Sequence, residues 1–119
     1  MKYFKPEEFD CKCGKCGLGY KDMDPDHLVR LEAARGYAGI PFVITSAMRC
    51  AEHNRAEGGK PTSDHLTGHG TDVATPDSAT RSAVITGAVM AGFTRIGVGK
   101  TFVHLGSSPR NPQNVVWLY

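Results

Sequence analysis

At 119 residues the chain has room for one domain built on one core, so its function must fit a single small site. Hydrophobic residues at 40% and charged residues at 22% are globular proportions that exclude a disordered or collagenous chain, and no apolar run approaches the roughly 18 residues of a membrane span. The net charge of +2 hides an asymmetry: all twelve Asp and Glu residues lie between Glu7 and Asp77, while residues 78–119 carry four Lys/Arg and no acidic side chain, too sparse a set of cations for a nucleic-acid partner.

In chain order, Met1 to Glu8 turns acidic where a secretory segment would be apolar, so no signal peptide is expected and the chain would start in a cytoplasm. Cys11, Cys13 and Cys16 follow in a Gly/Lys-rich stretch, with Cys50 far along the chain. Four cysteines match the ligand count of a tetrahedral structural zinc, which would staple residues 1–20 onto the domain. One or two disulfides fit equally well if the protein works in an oxidising space, and free thiols are the third reading.

Asp24 reads as the N-cap of a helix with Pro25 in its first turn, Leu28 and Leu31 on one face, and Gly36 or Gly39 as terminator. Ile40 to Ser46 is β-branched and reads as a strand. Cys50 to Glu57 suits a short helix stopped by Gly58-Gly59, and Lys60 to Thr71 is rich in breakers and reads as a loop. A strand over Thr71 to Thr75 precedes a helix from Ser78 to Ala91. Three further strands, Phe93 to Val98, Thr101 to Leu105 and Val115 to Leu118, are close enough to form a meander. The sum is an α+β domain covering residues 1–119, a small antiparallel sheet flanked by helices.

Of the five histidines, His27 in a first helical turn reads as a solvent-facing or capping residue, and His53 on a polar helix as exposed. His65 and His69 lie in the Gly-rich loop, and His104 sits in the apolar run Thr101-Phe102-Val103-His104-Leu105. Two histidines and a carboxylate are the protein ligands of a catalytic zinc, leaving a position for water. His65 and Asp72 could converge on one ion from loop and strand, with His104 arriving from a neighbouring strand.

The run Ser63-x-His65-x-x-Gly68-x-x-x-Asp72 follows Ser46-Ala47-Met48-Arg49-Cys50 and Asn54-Arg55-x-x-Gly58-Gly59, and precedes Phe102-Val103-His104. In this order the set resembles the D-alanyl-D-alanine carboxypeptidase family of zinc peptidases, which includes VanX-type dipeptidases and phage endolysins and shares its fold with the Hedgehog signalling domain. Phe9-x-Cys11-x-Cys13 and Val116-Trp117-Leu118-Tyr119 resemble its short phage and bacterial branch.

The resemblance implies His65, Asp72 and His104 as zinc ligands, Arg49 as the donor fork for a substrate carboxylate or carbonyl, and Ser63 as a hydrogen-bonding neighbour of the metal. It implies one catalytic Zn2+, joined by a structural one if the cysteines ligate. The substrate class would be peptidoglycan stem peptides, reached by a monomer after release by a lysis partner or as part of a virion. The ion would polarise the scissile carbonyl and lower the pKa of its water, and a nearby group would accept the proton.

Two departures bear on that group. Many relatives carry an acidic residue three positions before the last histidine ligand, where this chain has Thr101, and the short branch often has Asp two positions after it, where this chain has Gly106. The candidates left are His69, the first choice for its place in the metal loop, with Asp64, Glu52, Glu57, another imidazole or the terminal carboxylate behind it. The missing acids also motivate a rival reading, an impaired homologue that keeps zinc and serves as a cell-wall-binding or virion structural module.

Overall fold

The computed structural model describes all residues 1–119. Helix α1 spans Pro25–Ala38: the Asp24 side chain accepts from His27 N at 2.9 Å, and Gly39, at φ +70°, ends the helix in the left-handed conformation. Strand β1, Ile44–Ser46, is shorter than the sequence suggests. Helix α2 spans Ala51–Ala56 and is followed, after a 3-10 turn over Asp64–Thr67, by β2 at Gly70–Ala74. Helix α3, Ser78–Met90, is capped by Asp77, and the chain finishes with β3 (Arg95–Val98), β4 (Phe102–Gly106) and β5 (Val115–Leu118).

The five strands form one sheet in the order β1-β2-β4-β3-β5. All neighbours are antiparallel except β3 and β5, which pair in parallel. The expected meander is therefore wrong at its last step. The loop after β4 carries the chain across the end of the sheet, so β5 meets the far edge of β3. Phe93, expected in a strand, is a buried core residue just before β3.

Side chains alternate across a strand, and this alternation divides the sheet. Val73, Val103, Ile96 and Leu105 are buried with Leu31, Ala34, Val84 and Ala88 of α1 and α3, which pack against each other. Gly87 permits that approach: a Cβ there would overlap the Ala34 carbonyl and lie 2.8 Å from Ala38 Cβ. The amino-terminal segment adds Phe4 and Phe9, stacked edge to face at 5.7 Å, to the same core.

His27 is not solvent-facing. It is 1% exposed, with Nδ1 and Nε2 each 2.7 Å from a hydroxyl, Ser107 and Thr71 respectively, and its ring edge-on to Phe93. One ring nitrogen donates and the other accepts, so the neutral imidazole is satisfied in place. Burial, reinforced by the neighbouring imidazole of His104, drives its pKa down from 6.5 to about 3.

A histidine whose pKa falls on folding makes the unfolded chain the stronger proton binder. Its contribution to stability is complete above pH 6.5 and is lost progressively as the pH drops from 6.5 toward 3. Between pH 7 and about 5.5 the metal-free protein should lose about 1 kcal/mol through this residue. Urea unfolding of the wild type and of His27→Gln at both pH values checks it: the variant, less stable at pH 7, should show a shallower loss by about that amount.

Candidate metal centre

One row of residues crosses the whole sheet. Ser46 is opposite Asp72, Asp72 opposite His104, His104 opposite Gly97, and Gly97 opposite Trp117. The row lies on the face turned away from the helices, because its neighbours Val73 and Val103 point into the core. His65 joins from the Asp64–Thr67 turn, which Ser63 opens by accepting from His65 N at 3.2 Å and Gly68 closes at φ +74°. The ligand atoms of His65, Asp72 and His104 all lie within 4.8 Å of one another, and all three residues are buried.

The hydrogen bonds behind the two imidazoles set what they present to the centre. His65 Nδ1 donates to the Ala47 carbonyl at 2.7 Å, and His104 Nε2 donates to Asp64 Oδ2 at 2.8 Å. The inner nitrogens, His65 Nε2 and His104 Nδ1, then face Asp72 Oδ1 at 3.3 and 2.8 Å. In neutral imidazoles these are lone pairs aimed at a carboxylate, an arrangement that repels unless a cation or proton lies among them. Two nitrogens, one oxygen and outer hydrogen bonds that fix both tautomers form a donor set that suits a divalent ion such as zinc.

The electrostatics follow from the same contacts. In the metal-free chain a proton fills the middle of the group: burial alone would raise the Asp72 pKa, but its contacts with His104 and His65 outweigh burial and hold the carboxyl below its usual range. For His65 burial prevails and the pKa falls. For His104, flanked by Asp64 and Asp72, the carboxylates overcome burial and the pKa rises.

Asp64 is the support that holds His104. It is 2% exposed and takes Arg95 Nε at 2.9 Å on Oδ2, with Ser108 N and Asn111 Nδ2 on Oδ1 at 3.2 and 3.1 Å. These partners leave it no free lone pair for the groove, so it orients the imidazole instead of taking the proton considered for it. It also accounts for Gly106: a Cβ at that position would overlap Asp64 Oδ2 and lie 3.0 Å from His104 Nε2.

A polar groove of about 310 Å³ opens beside Asp72, lined by residues that include Arg49, His53, Glu57 and Thr101. The Arg49 guanidinium is braced by Ser46 Oγ at 2.9 Å and Asn54 Oδ1 at 3.3 Å, and its NH2 reaches Asp72 Oδ2 at 3.6 Å. Asn54 also donates to the Lys60 carbonyl at 2.9 Å, and a Cβ on Gly59 would collide with it, which gives the Asn54-Arg55-x-x-Gly58-Gly59 pattern its local reason. A larger depression of about 820 Å³ between the amino terminus and α1 is mostly apolar and holds no ligand cluster.

Several expected residues sit elsewhere. His69 turns its ring to Thr67 Oγ1 at 2.9 Å and Asp24 Oδ1 at 3.6 Å, outside the His65/Asp72/His104 group. The Ser63 hydroxyl is used as the turn cap. His53, expected on an exposed face, has a side chain only 13% exposed that lines the groove, with Nε2 3.4 Å from Glu57 Oε1. Trp117 packs its ring against His104 at 5.7 Å and under the Arg95 guanidinium at 4.6 Å, a contact that no local sequence signal marks.

A buried His/Asp/His set that could hold a metal ion lies beside an arginine-bearing groove on an α+β sheet, an arrangement compatible with hydrolytic chemistry. Residues 2–106 match the family model described as Peptidase M15, and the chain belongs to that family. A search of curated proteins gives no match.

Asp64→Asn keeps the shape but removes the charge behind His104. It should weaken metal binding roughly 10–100-fold in a chelator-competition titration.

Proposed function

We propose that the chain is a zinc metallopeptidase that cleaves peptide bonds of peptidoglycan stem peptides, as a D,D-carboxypeptidase or an endopeptidase. The observation that carries this reading is the fixed Arg49 guanidinium 3.6 Å from Asp72, beside a buried two-nitrogen, one-oxygen donor set. A planar, permanently charged fork there suits a peptide carboxylate or carbonyl, and anchoring it would set the adjacent peptide bond at the His65/Asp72/His104 centre. The groove is small and only one of its nine lining residues is hydrophobic, which favours short substrates with small side chains.

When bound, the ion supplies Lewis-acid polarisation of the carbonyl and acidifies a water. The chain's own residues do the rest. Ala47 and Asp64 hold the two imidazoles in register, and Ser46 and Asn54 hold Arg49. Proton transfer falls to the His53/Glu57 pair, which faces the groove, in preference to His69, which faces Asp24. The setting would be the cell wall, reached after release by a lysis partner or within a virion. The alternative, a wall-binding module without turnover, rests on Thr101 lining the groove where relatives carry an acid.

Incubation of the zinc-loaded protein with purified peptidoglycan and with a D-Ala-D-Ala-ended peptide should release products detectable by mass, and His104→Ala should abolish them. Arg49→Ala should raise KM at least about 10-fold by removing a charge-assisted contact. Stoichiometric zinc without cleavage of either substrate would support the module instead.

His53→Gln should lower kcat about 100-fold with KM little changed, whereas His69→Gln should leave turnover intact. The opposite pattern, read from initial rates, would return the proton-transfer role to His69.

A further inference from the structure

The four cysteines converge although they come from distant parts of the chain. The Sγ atoms of Cys11, Cys13, Cys16 and Cys50 all lie within 4.8 Å of one another, and Cys11 and Cys50 are 3.9 Å apart. A zinc ion with Zn–S bonds of about 2.3 Å at tetrahedral angles requires sulfur–sulfur edges of about 3.8 Å. Pairwise disulfides would give two short contacts and no common centre.

The backbone around the cysteines points the same way, because each sulfur accepts a backbone N–H. Cys13 receives Lys15 N at 3.4 Å and Cys16 N at 3.3 Å; Cys16 receives Leu18 N, Cys11 receives Cys50 N and Cys50 receives His53 N, each at 3.4 Å. Gly14 and Gly17, at φ +74° and +75°, make the two tight turns that bring these amides onto Cys13 and Cys16. N–H donors ringed around sulfur favour thiolates, the form that binds metal.

We infer that Cys11, Cys13, Cys16 and Cys50 form a second metal centre, a tetrathiolate Zn2+ site, separate from the His65/Asp72/His104 centre. It is structural in kind, since four protein ligands leave no position for water. Each thiol gives up its proton on ligation, so binding releases protons as it ties the Cys11–Cys16 turn to α2. Cys50 follows Arg49 and caps α2 through His53 N, so the ion fastens the amino-terminal segment to the loop that aims Arg49 into the groove.

Metal analysis of the full chain purified under reducing conditions with zinc should give two ions in the wild type. His104→Ala should give one, and Cys16→Ser should give up its second ion to a weak chelator that leaves the wild type loaded; Cys16 is exposed, so its serine variant disturbs no core packing. Loaded with Co2+ alone, His104→Ala should show the intense near-ultraviolet thiolate-to-cobalt charge-transfer band, and Cys16→Ser, left with three thiolates, should show it weakened and lose it at lower chelator concentration. In the zinc-loaded wild type the four thiols should resist a thiol reagent until a chelator is added.

Absence of metal and of the band in folded His104→Ala would overturn the site. So would a Cys–Cys linkage in the non-reduced native chain, or thiols that react freely with zinc present. If Cys16→Ser fails to fold, the count and spectrum of His104→Ala decide the matter without it. The peptidase reading stands or falls separately, on cleavage.

Discussion

The site depends on one electrostatic conflict, the Asp72 carboxylate meeting two imidazole nitrogens whose protons are committed elsewhere. The Ala47 carbonyl takes the proton of one ring and Asp64 takes that of the other, so the inner faces of His65 and His104 are held as acceptors around an acceptor. Such an arrangement is stable only with positive charge at its middle. The antiparallel register between β2 and β4 puts Asp72 beside His104, and the Asp64–Thr67 turn delivers both the third ligand, His65, and the carboxylate that supports His104. Two consecutive residues thus serve the centre from inside and from behind.

The two faces of the sheet divide the work of the domain. Val73 and Val103 anchor the strands in the core shared with α1 and α3, and their chain neighbours Asp72 and His104 inherit that rigidity on the opposite face. A centre built on adjacent strands is held more tightly than one built on loops. The less regular parts, the Met48–Cys50 segment and α2, carry Arg49 and His53, the groups that would meet a substrate.

Much of this was legible in the residues. The cap Asp24, the β-branched and apolar runs and the glycine stops carry the helices and strands, because each is a local pattern with a local cause, whereas the His/Asp/His grouping is legible through the family resemblance and not through spacing alone. The last strand was not, since parallel pairing of β5 with β3 is set by where the loop after β4 returns and leaves no mark in Val115–Leu118 itself. His27 was misread for a related reason. Its first-turn position is polar in sequence, and only the tertiary approach of Thr71, Ser107 and Phe93 makes it a core residue. Asp64 stood in plain view beside His65, but its role required knowing that Gly106 leaves it room.

That pairing of Asp64 with Gly106 constrains how such a site can drift over generations. Asp64 reaches His104 through space that any side chain at 106 would occupy, so the two positions claim the same room. Gaining the acid at 106 while Asp64 remains would crowd two negative charges together, and losing Asp64 while 106 is glycine would strand the His104 N–H without an acceptor. Both single steps pass through a weakened protein. The two residues are therefore coupled: what either position tolerates depends on what the other holds.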